Sequence, residues 1–447
     1  MIKHLNPHRL ACALSAVLLF CSGSTQALGL MQAYELALQK DPTYREAFYD
    51  SEAGKEYRVL GRSALLPTLQ GSFSGSKVKA DQDISDSLGR VSHSDPEYIS
   101  RSTVLQLRQP LFSLDAVARY KQGKAQSEYS DFRFALSAQE LIGRVTGAYM
   151  DALYAEDQVA LAITQRDAFA EQQKVNQRLF EKGEGTKTDM LETQARLDLA
   201  EAQLIEARDA LVNNRLVLAG MIGEDVTALD PLGPTFRIRP LQPQSFEEWK
   251  QLALKNNPDL LSQHAAIEAA RQEVNKAKAG YTPRLDFIGS VSKGAAESLN
   301  TYNQSSTQRS IGIQLNIPLY TGGAVGATTR QAVAGFEKAK TELELRTDKN
   351  LTELRKQYNL VLSSAARMAA LVKAVESGKL LMTATEQSIK GGVRINLDLL
   401  NAQQQLYTSQ RDLASARYNY LLSHIRLRAQ AGVLSVEDVR EIAAYFH

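Results

Sequence analysis

The stretch Ser310-Ile311-Gly312-Ile313-Gln314-Leu315-Asn316-Ile317-Pro318 alternates apolar with polar or small residues at every step until the proline. A period of two puts a different chemistry on each face of a β-strand, and Pro318 predicts where the strand stops. The same pattern precedes Pro110, where Thr103, Leu105 and Leu107 oppose Gln106 and Arg108. Weaker versions follow two further prolines: Leu69, Gly71 and Phe73 after Pro67, and Leu285, Phe287, Gly289 and Val291 after Pro283. Four strands are therefore expected, at about 68–76, 101–110, 284–293 and 309–318, with Pro67, Pro110, Pro283 and Pro318 at the junctions with helices. Each run approaches the roughly ten residues that a tilted strand needs to cross a bilayer.

Four strands cannot close a barrel, since about eight is the smallest number that does. Open edges cannot face lipid, where each unpaired backbone group costs several kcal/mol. In a membrane the chain must therefore oligomerise: two copies give a filled eight-stranded barrel, and three give twelve strands with room for a pore. The competing reading is a pair of ordinary soluble hairpins packed on helices. Aromatic residues favour the membrane. Phe112 and Tyr320 occupy matching positions just after Pro110 and Pro318, where an interfacial girdle would lie, and Tyr98 and Tyr302 are expected in loops at the other end.

The rest of the chain reads as helix. No proline occurs between Pro110 and Pro231 or after Pro318, and those gaps are rich in Ala, Leu, Gln, Glu and Arg. A helix from about Asp115 to Lys182 would be on the order of 100 Å long. Apolar residues recur every seven places at Met190, Leu197, Leu204, Leu211 and Leu218, and again at Leu399, Leu406, Leu413, Tyr420 and Leu427. That spacing keeps a seam on a partner helix, and by itself it fits a soluble coiled-coil rod.

The whole plan occurs twice. Leu36-Ala37-Leu38-Gln39-Lys40-Asp41-Pro42 matches Leu252-Ala253-Leu254-Lys255-Asn256-Asn257-Pro258, and the same shift of 216 carries Pro67 onto Pro283. Gln109-Pro110-Leu111-Phe112 matches Ile317-Pro318-Leu319-Tyr320, and Gly183 with Asp189 matches Gly392 with Asp398. Residues 28–230 and 231–447 are thus expected to form two intertwined structural repeats. Glycines in Lys182-Gly183-Glu184-Gly185 and Lys390-Gly391-Gly392 permit sharp helical reversals. Thr186 with Asp189, and Ser245 with Glu248, have the spacing of capping boxes.

Residues 1–27 read as a secretory signal: Lys3 and Arg9 precede an apolar run from Leu10 to Cys21, and Thr25-Gln26-Ala27 offers a cleavage site. The run is too short for a membrane anchor, and Phe20 before Cys21 disfavours lipidation. Both cysteines lie in this segment, so the exported chain has no disulfide or thiol ligand. Removing Lys3 and Arg9 leaves 50 basic against 50 acidic residues (52 − 2 = 50), a balance that points to no nucleic-acid partner. The histidines His93, His264, His424 and His447 lack metal-ligand spacing, and there is neither a phosphate-cradling glycine loop nor a nucleophile elbow. No cofactor and no enzymatic activity are expected.

Across the mature sequence the chain resembles the TolC-like outer-membrane factor family. The resemblance is carried by Ile317-Pro318-Leu319-Tyr320-Thr321-Gly322-Gly323, by Gly392-Val393-Arg394 running to Asp398-Leu399-Leu400, and by Ser415-Ala416-Arg417-Tyr418-Asn419-Tyr420-Leu421. It implies a mixed α/β, mainly α membrane protein. Three chains with four strands each would build one twelve-stranded barrel, continued by a helical coiled-coil tunnel through the periplasm. The stretch Pro231 to Pro243 and the helix opened by Ser245 would belong to a band around that tunnel. The resemblance further implies a homotrimer in outer-membrane lipid, working with a periplasmic membrane-fusion adaptor and an inner-membrane ABC exporter or efflux pump.

In this family, links between coils close the periplasmic tips, and the matching positions here are Thr188, Asp189, Arg394, Asp398 and Asn401. The tips, at Gly183, Gly185, Gly391 and Gly392, also meet the adaptor. Two positions depart from the family gate: Asn401 stands where a second aspartate is expected, and Ile389 where a tyrosine is. Both acids also have a simpler role, since Asp189 fits a capping box and Asp398 a first helical turn. The chain closes at His447, soon after the helix opened by Ser435, an ending that resembles channels dedicated to protease or lipase export. Type I protein secretion is the expected function; multidrug efflux is the alternative, and a pore-less periplasmic coiled-coil scaffold the reading of another class.

Overall fold

A proline at the first helical position, preceded by a buried polar residue, opens a 22-residue helix in each repeat. The computed structural model of the chain describes residues 27–446 except 86, 96, 234, 235, 237, 239 and 297–303; residues 1–26 of the expected signal, Tyr302 and His447 lie outside them. Helix α1 (Leu30–Lys40) leads to α2 (Pro42–Ser63), and strand β1 (Thr68–Lys79) follows. A small hairpin, β2 (Gln82–Ser85) and β3 (Val91–Ser94), precedes β4 (Glu97–Phe112). Then come α3 (Leu114–Glu181) and α4 (Lys187–Ile222). The second round is α5 (Phe246–Asn256), α6 (Pro258–Ala279), β5 (Arg284–Ala296), β6 (Gln304–Asn316), α7 (Ala324–Lys390) and α8 (Asn396–Gln430), closed by α9 (Val436–Ala443). With 68 and 67 residues, α3 and α7 are each about 100 Å long. Among the described residues no helix is long and apolar enough to cross a membrane.

The chain divides into two compact units, and each draws segments from both sequence repeats. Tyr49–Phe134 with Pro258–Thr347 contains the sheet, an antiparallel ribbon in the order β1-β4-β5-β6. Its register sorts side chains by chemistry. Leu69 pairs with Leu107, Leu107 with Gly289 and Gly289 with Ile311; Phe287 and Leu285 face Ile313 and Leu315. On the opposite face Gln70, Gln106, Ser290 and Ser310 stand in one row, and the hydroxyls of Ser290 and Ser310 lie 2.7 Å apart. Neighbouring residues on a strand point to opposite sides, so one face is an apolar band and the other is polar. The apolar face is bare: Ile311 is 82% exposed, Ile313 67% and Phe73 73%. On the polar face Asp286 is 1% exposed and accepts from Arg108 (Nη2, 2.6 Å) and Arg284 (Nε, 3.1 Å).

Pro110 does not end its strand. It lies within β4 opposite Asp286, next to a register shift between Pro110 and Phe112 that absorbs its missing N–H. Tyr98, expected in a loop, pairs with Val78 inside the lengthened strand. Pro67 and Pro283 each stand one residue before a strand, and Pro318 lies just beyond β6. The β2–β3 hairpin was not anticipated; its strands are only four residues each, too short to show a period. Below the sheet α2 and α3 pack at glycine distance. A Cβ on Gly123 would lie 2.3 Å from the Tyr57 carbonyl oxygen, and one on Gly61 2.8 Å from that of Arg119.

The other unit, Met1–Phe48 with Ala135–Asn257 and Asp348–His447, holds the main apolar core. Tyr149, Met150, Leu218, Ile222, Trp249 and Ile425 are fully buried there. The Tyr149 hydroxyl donates to the Leu28 carbonyl at 2.9 Å, and burial with the nearby Asp230 carboxylate raises its pKa far above the usual phenol value, so it stays a donor. Ser245 caps α5 through the Glu247 N–H (3.3 Å), not through a box with Glu248. All five second-half seam residues from Leu399 to Leu427 are buried, as are Leu197, Leu204 and Leu218 in the first half.

The duplicated Leu-Ala-Leu motif now has a physical reason. Asp41 accepts from the Tyr44 N–H at 2.7 Å, ahead of Pro42, which as first helical residue loses no hydrogen bond. Its carboxylate, 2% exposed, takes both Nη1 and Nη2 of Arg144 at 3.0 Å. In the second repeat Asn257 precedes Pro258 and donates to the Gln430 carbonyl at 2.9 Å. Replacing Arg144 by Ala leaves a buried carboxylate unpaired. We expect a loss of roughly 2 kcal/mol, short of a fully buried pair because Arg144 is one third exposed. Arg119→Ala, which removes an exposed pair with Asp115, should shift the melting temperature very little. Equal melting shifts for the two variants would contradict this account.

Candidate functional site

Both helix reversals close in the same way. The Gly183 N–H donates to the Phe180 carbonyl (3.0 Å) and that of Glu184 to Leu179 (2.9 Å); the Gly392 N–H donates to Ile389 (2.9 Å) and that of Val393 to Ser388 (3.0 Å). This double bond pattern is the Schellman motif, whose pivot must be left-handed, and Gly183 and Gly392 have φ of +77° and +70°. Their separation of 209 (392 − 183) is the one that relates Asp189 to Asp398, seven residues short of the 216 that relates Pro42 to Pro258. Gly185 and Gly391 have ordinary φ, but a Cβ on Gly185 would lie 3.0 Å from the Phe180 nitrogen, so the first turn has little room for a side chain there, whereas Gly391 has ordinary clearance.

The helices that follow start differently. Thr186 caps α4, accepting from the Asp189 N–H (3.1 Å) while the Asp189 carboxylate accepts from the Thr186 N–H (3.3 Å). The capping box expected there is present. In the second tip Ile395 holds the cap position and offers no side-chain bond. Asp398 stands in the first turn of α8, where the positive helix end favours a carboxylate.

Below the tips a neutral polar network joins the coils. The Gln172 amide donates to Asn396 (3.0 Å) and to Asn176 (3.1 Å), both through Oδ1. Asn176 and Asn396 donate in turn to Thr193 Oγ1 at 2.7 and 3.2 Å, and the Thr193 hydroxyl donates to the Asp189 carbonyl at 2.8 Å. Thr193 and Asn176 are buried, so the centre of the chain of bonds from α3 through α4 to α8 is out of solvent, with Gln172 and Asn396 half-buried at its ends. One turn further Phe169, Leu197, Ala200 and Leu400 form a small apolar plug. Beyond it Gln165 donates to Gln404 at 2.8 Å. Arg196 donates to Asn401 Oδ1 at 3.1 Å from α4.

Of the five expected gate positions, the structure bonds Asp189 and Asn401 into this assembly. Thr188 and Arg394 are exposed, and neither they nor Asp398 make a side-chain hydrogen bond or ion pair among the described residues. Asn401, where the family gate has an acid, still receives a guanidinium, with its amide oxygen as acceptor. Sequence reasoning missed Gln165, Gln172, Asn176, Thr193 and Asn396. Their signal was a polar residue on an apolar seam: Gln165 and Gln172 are seven apart, and Thr193 lies between Met190 and Leu197. At the other sites Phe112 is 49% exposed and Tyr320 89%. No group of three or more His, Cys, Asp or Glu that could hold a metal occurs among the described residues.

The family model described as outer membrane efflux protein matches residues 33–224 and 249–433. The chain is 44% identical over 433 residues to the alkaline protease secretion protein AprF of Pseudomonas aeruginosa, covering 96% of this chain and 90% of that one. It is 37% identical over 446 residues to the proteases secretion protein PrtF of Dickeya chrysanthemi, covering 98% and 95%. The crystal structure of the outer membrane protein VceC from Vibrio cholerae matches with a TM-score of 0.78 at 16% identity, over 90% of this chain and 96% of that one, a likeness of fold.

Thr193→Val removes the acceptor shared by two amides and should destabilise the tip by about 1–3 kcal/mol for each group left unsatisfied. Thr193→Ser should restore it. The measurement is tryptic cleavage at Lys182, Lys390 and Arg394, which should quicken in the valine variant alone; equal rates in all three proteins would refute the network's role.

Proposed function

Because the chain belongs to the outer membrane efflux protein family, we propose that it is the exit duct of a type I secretion system, receiving protein substrate from an inner-membrane ABC exporter through a periplasmic adaptor. It lies in the outer membrane of a Gram-negative bacterium and extends into the periplasm. The carrying observation is the four-stranded sheet, apolar on one face and polar on the other, whose edges β1 and β6 have no partner strand within the described chain. In lipid those edges need strands from sister chains. Three copies give twelve strands and a polar lumen, whereas two would fill the interior with side chains. Helices about 100 Å long suit a duct that must reach toward the inner membrane.

A protein cargo is favoured by the two protease-secretion relatives, which match over nearly the whole length of this chain. Efflux of small molecules is the second reading, favoured by relatives such as the Brucella suis efflux protein BepC, 26% identical over 96% of this chain. Producing the chain with its genomically adjacent exporter and adaptor separates the two. Appearance of a hydrolase in the medium supports secretion, while a change in drug susceptibility alone would support efflux.

The gate reading assigns Thr188, Asp189, Arg394, Asp398 and Asn401 to links that hold the tips shut. Arg394 has a planar fork of donors and no partner among the described residues of its own chain, which suits a carboxylate on a sister subunit. The glycine turns at 183–185 and 391–392 would meet the adaptor. The purified protein should be a detergent-extracted trimer with stepwise conductance in a planar bilayer, and Arg394→Ala should raise that conductance. An unchanged value would assign closure to other contacts, and a water-soluble protein without conductance would reject the duct.

A further inference from the structure

We propose that the outward face of the sheet carries a binding belt for phosphate-bearing lipid headgroups of the outer leaflet, formed by Arg309, Lys293 and Arg101 and continued in register by Lys77, whose charge Glu97 already engages. The proposal rests on the membrane reading above and adds a ligand class to it.

The register places all four cations on the apolar face. Arg309 pairs with Val291, Lys293 with Thr103 and Thr307, Arg101 with Gly75 and Ala295, and Lys77 with Ile99. One cation of the row stands on each strand, with Lys79 a second on β1 opposite Glu97, and each member of the row lies one pair further along than the last: Lys293 is two residues past Val291, Arg101 two before Thr103, and Lys77 two past Gly75. Such diagonal neighbours have Cα atoms roughly 7–8 Å apart. Strands in a barrel tilt by roughly 35–45°, so a level line crosses the register diagonally. The main apolar band of this face reaches Ile311 on β6, Val291 on β5, Leu105 on β4 and Phe73 on β1, with Val291 and Leu105 directly paired and Ile99 lying further out beside Lys77. The cations therefore stand on the loop side of that band.

That edge is the outer one. The cations lie toward the loop ends of the strands, away from the junctions with α2, α3, α6 and α7. At the helix end the exposed large residues are Tyr281, Phe112 and Tyr320 together with the aliphatic Leu66, Leu111, Ile317 and Leu319. The helix end thus carries aromatic and aliphatic side chains where the loop end carries the row of cations. All four cations are exposed. Lys77 forms an ion pair with Glu97, but Arg101, Lys293 and Arg309 have no acidic partner among the described residues. Gly75, Ala295, Thr103 and Thr307 beside them are too short to cover them. A row of uncompensated cations beside hydrocarbon attracts anionic headgroups, and Lys and Arg stems can lie along the apolar surface while their charges reach the phosphates.

The test compares the native protein with an Arg309→Gln, Lys293→Gln, Arg101→Gln triple variant. Both are reconstituted in phosphatidylcholine nanodiscs with and without lipid A, a bis-phosphorylated glycolipid. Native mass spectrometry should find lipid A retained by the native protein and retention weaker by on the order of a hundredfold in the triple variant, given the usual strength of three basic side chains at an anionic surface. Lipid A should raise the melting temperature of the native protein only, and high salt should reduce its retention. Lys77→Gln should change little. Equal retention by native and triple proteins overturns the belt, as does equal stabilisation by inorganic phosphate, which would mean a free-anion site. If the triple variant does not insert, Lys293→Gln alone must still weaken retention. Conductance is read on the same samples: a conducting triple variant that keeps its lipid sinks the belt alone, and a native protein that neither inserts nor conducts sinks the membrane reading itself.

Discussion

Every backbone N–H and C=O in a sheet needs a partner, and β1 and β6 each present one side without any partner strand among the described residues. In water that edge would be solvated. Beside hydrocarbon it costs several kcal/mol per group. The apolar face, carried by Leu69, Phe73, Leu285, Ile311, Ile313 and Leu315, keeps the sheet in hydrocarbon, so the edges are obliged to find strands elsewhere. Assembly is therefore a condition of the fold and cannot be treated as an addition to it. The same requirement accounts for the polar face, because a closed ring of these strands turns Gln70, Gln106, Ser290 and Ser310 toward one shared interior.

The helices answer to a different constraint. A pair about 100 Å long has too little apolar surface per turn for a continuous core, and the packing changes along it. Beneath the sheet, α2 and α3 touch backbone to backbone at Gly61 and Gly123. In the other unit the wide core around Tyr149 and Trp249 takes over. Near the tips, amides and one threonine replace most of the apolar seam, with a single plug at Phe169 and Leu400. Neutral hydrogen bonds between side chains avoid the desolvation cost of buried ion pairs, so the coils stay in register without burying charge.

Most of this architecture was legible because it rests on period and punctuation. Strand alternation before Pro318, the proline-free gaps and the 216-residue offset needed no tertiary information. Pro110 misled because a bulge can house a proline inside a strand, and a bulge leaves no mark in composition. The tip network was illegible for another reason. Gln172, Asn176 and Asn396 are ordinary surface residues by type, and only the three-dimensional meeting of α3, α4 and α8 shows that their amides close on Thr193. Arg394 and Asp398 were legible by resemblance, but one chain does not contain the partners that the resemblance assigns to them.

Duplication produced two tips with the same reversal and different attachments. Gly183 and Gly392 serve the same left-handed pivot, and nothing crowds either of them, so the turns are equivalent. The helix starts are not. Thr186 and Asp189 satisfy each other's backbone N–H groups, and such a cap is worth about 1 kcal/mol. Ile395 offers α8 no such bond. The second tip compensates through Asn396, whose side chain is held by Gln172 and Thr193 of the first hairpin. The first helix start is thus fixed locally, while the second depends on contact with its neighbour. Anything that separates the two hairpins therefore loosens the second tip first.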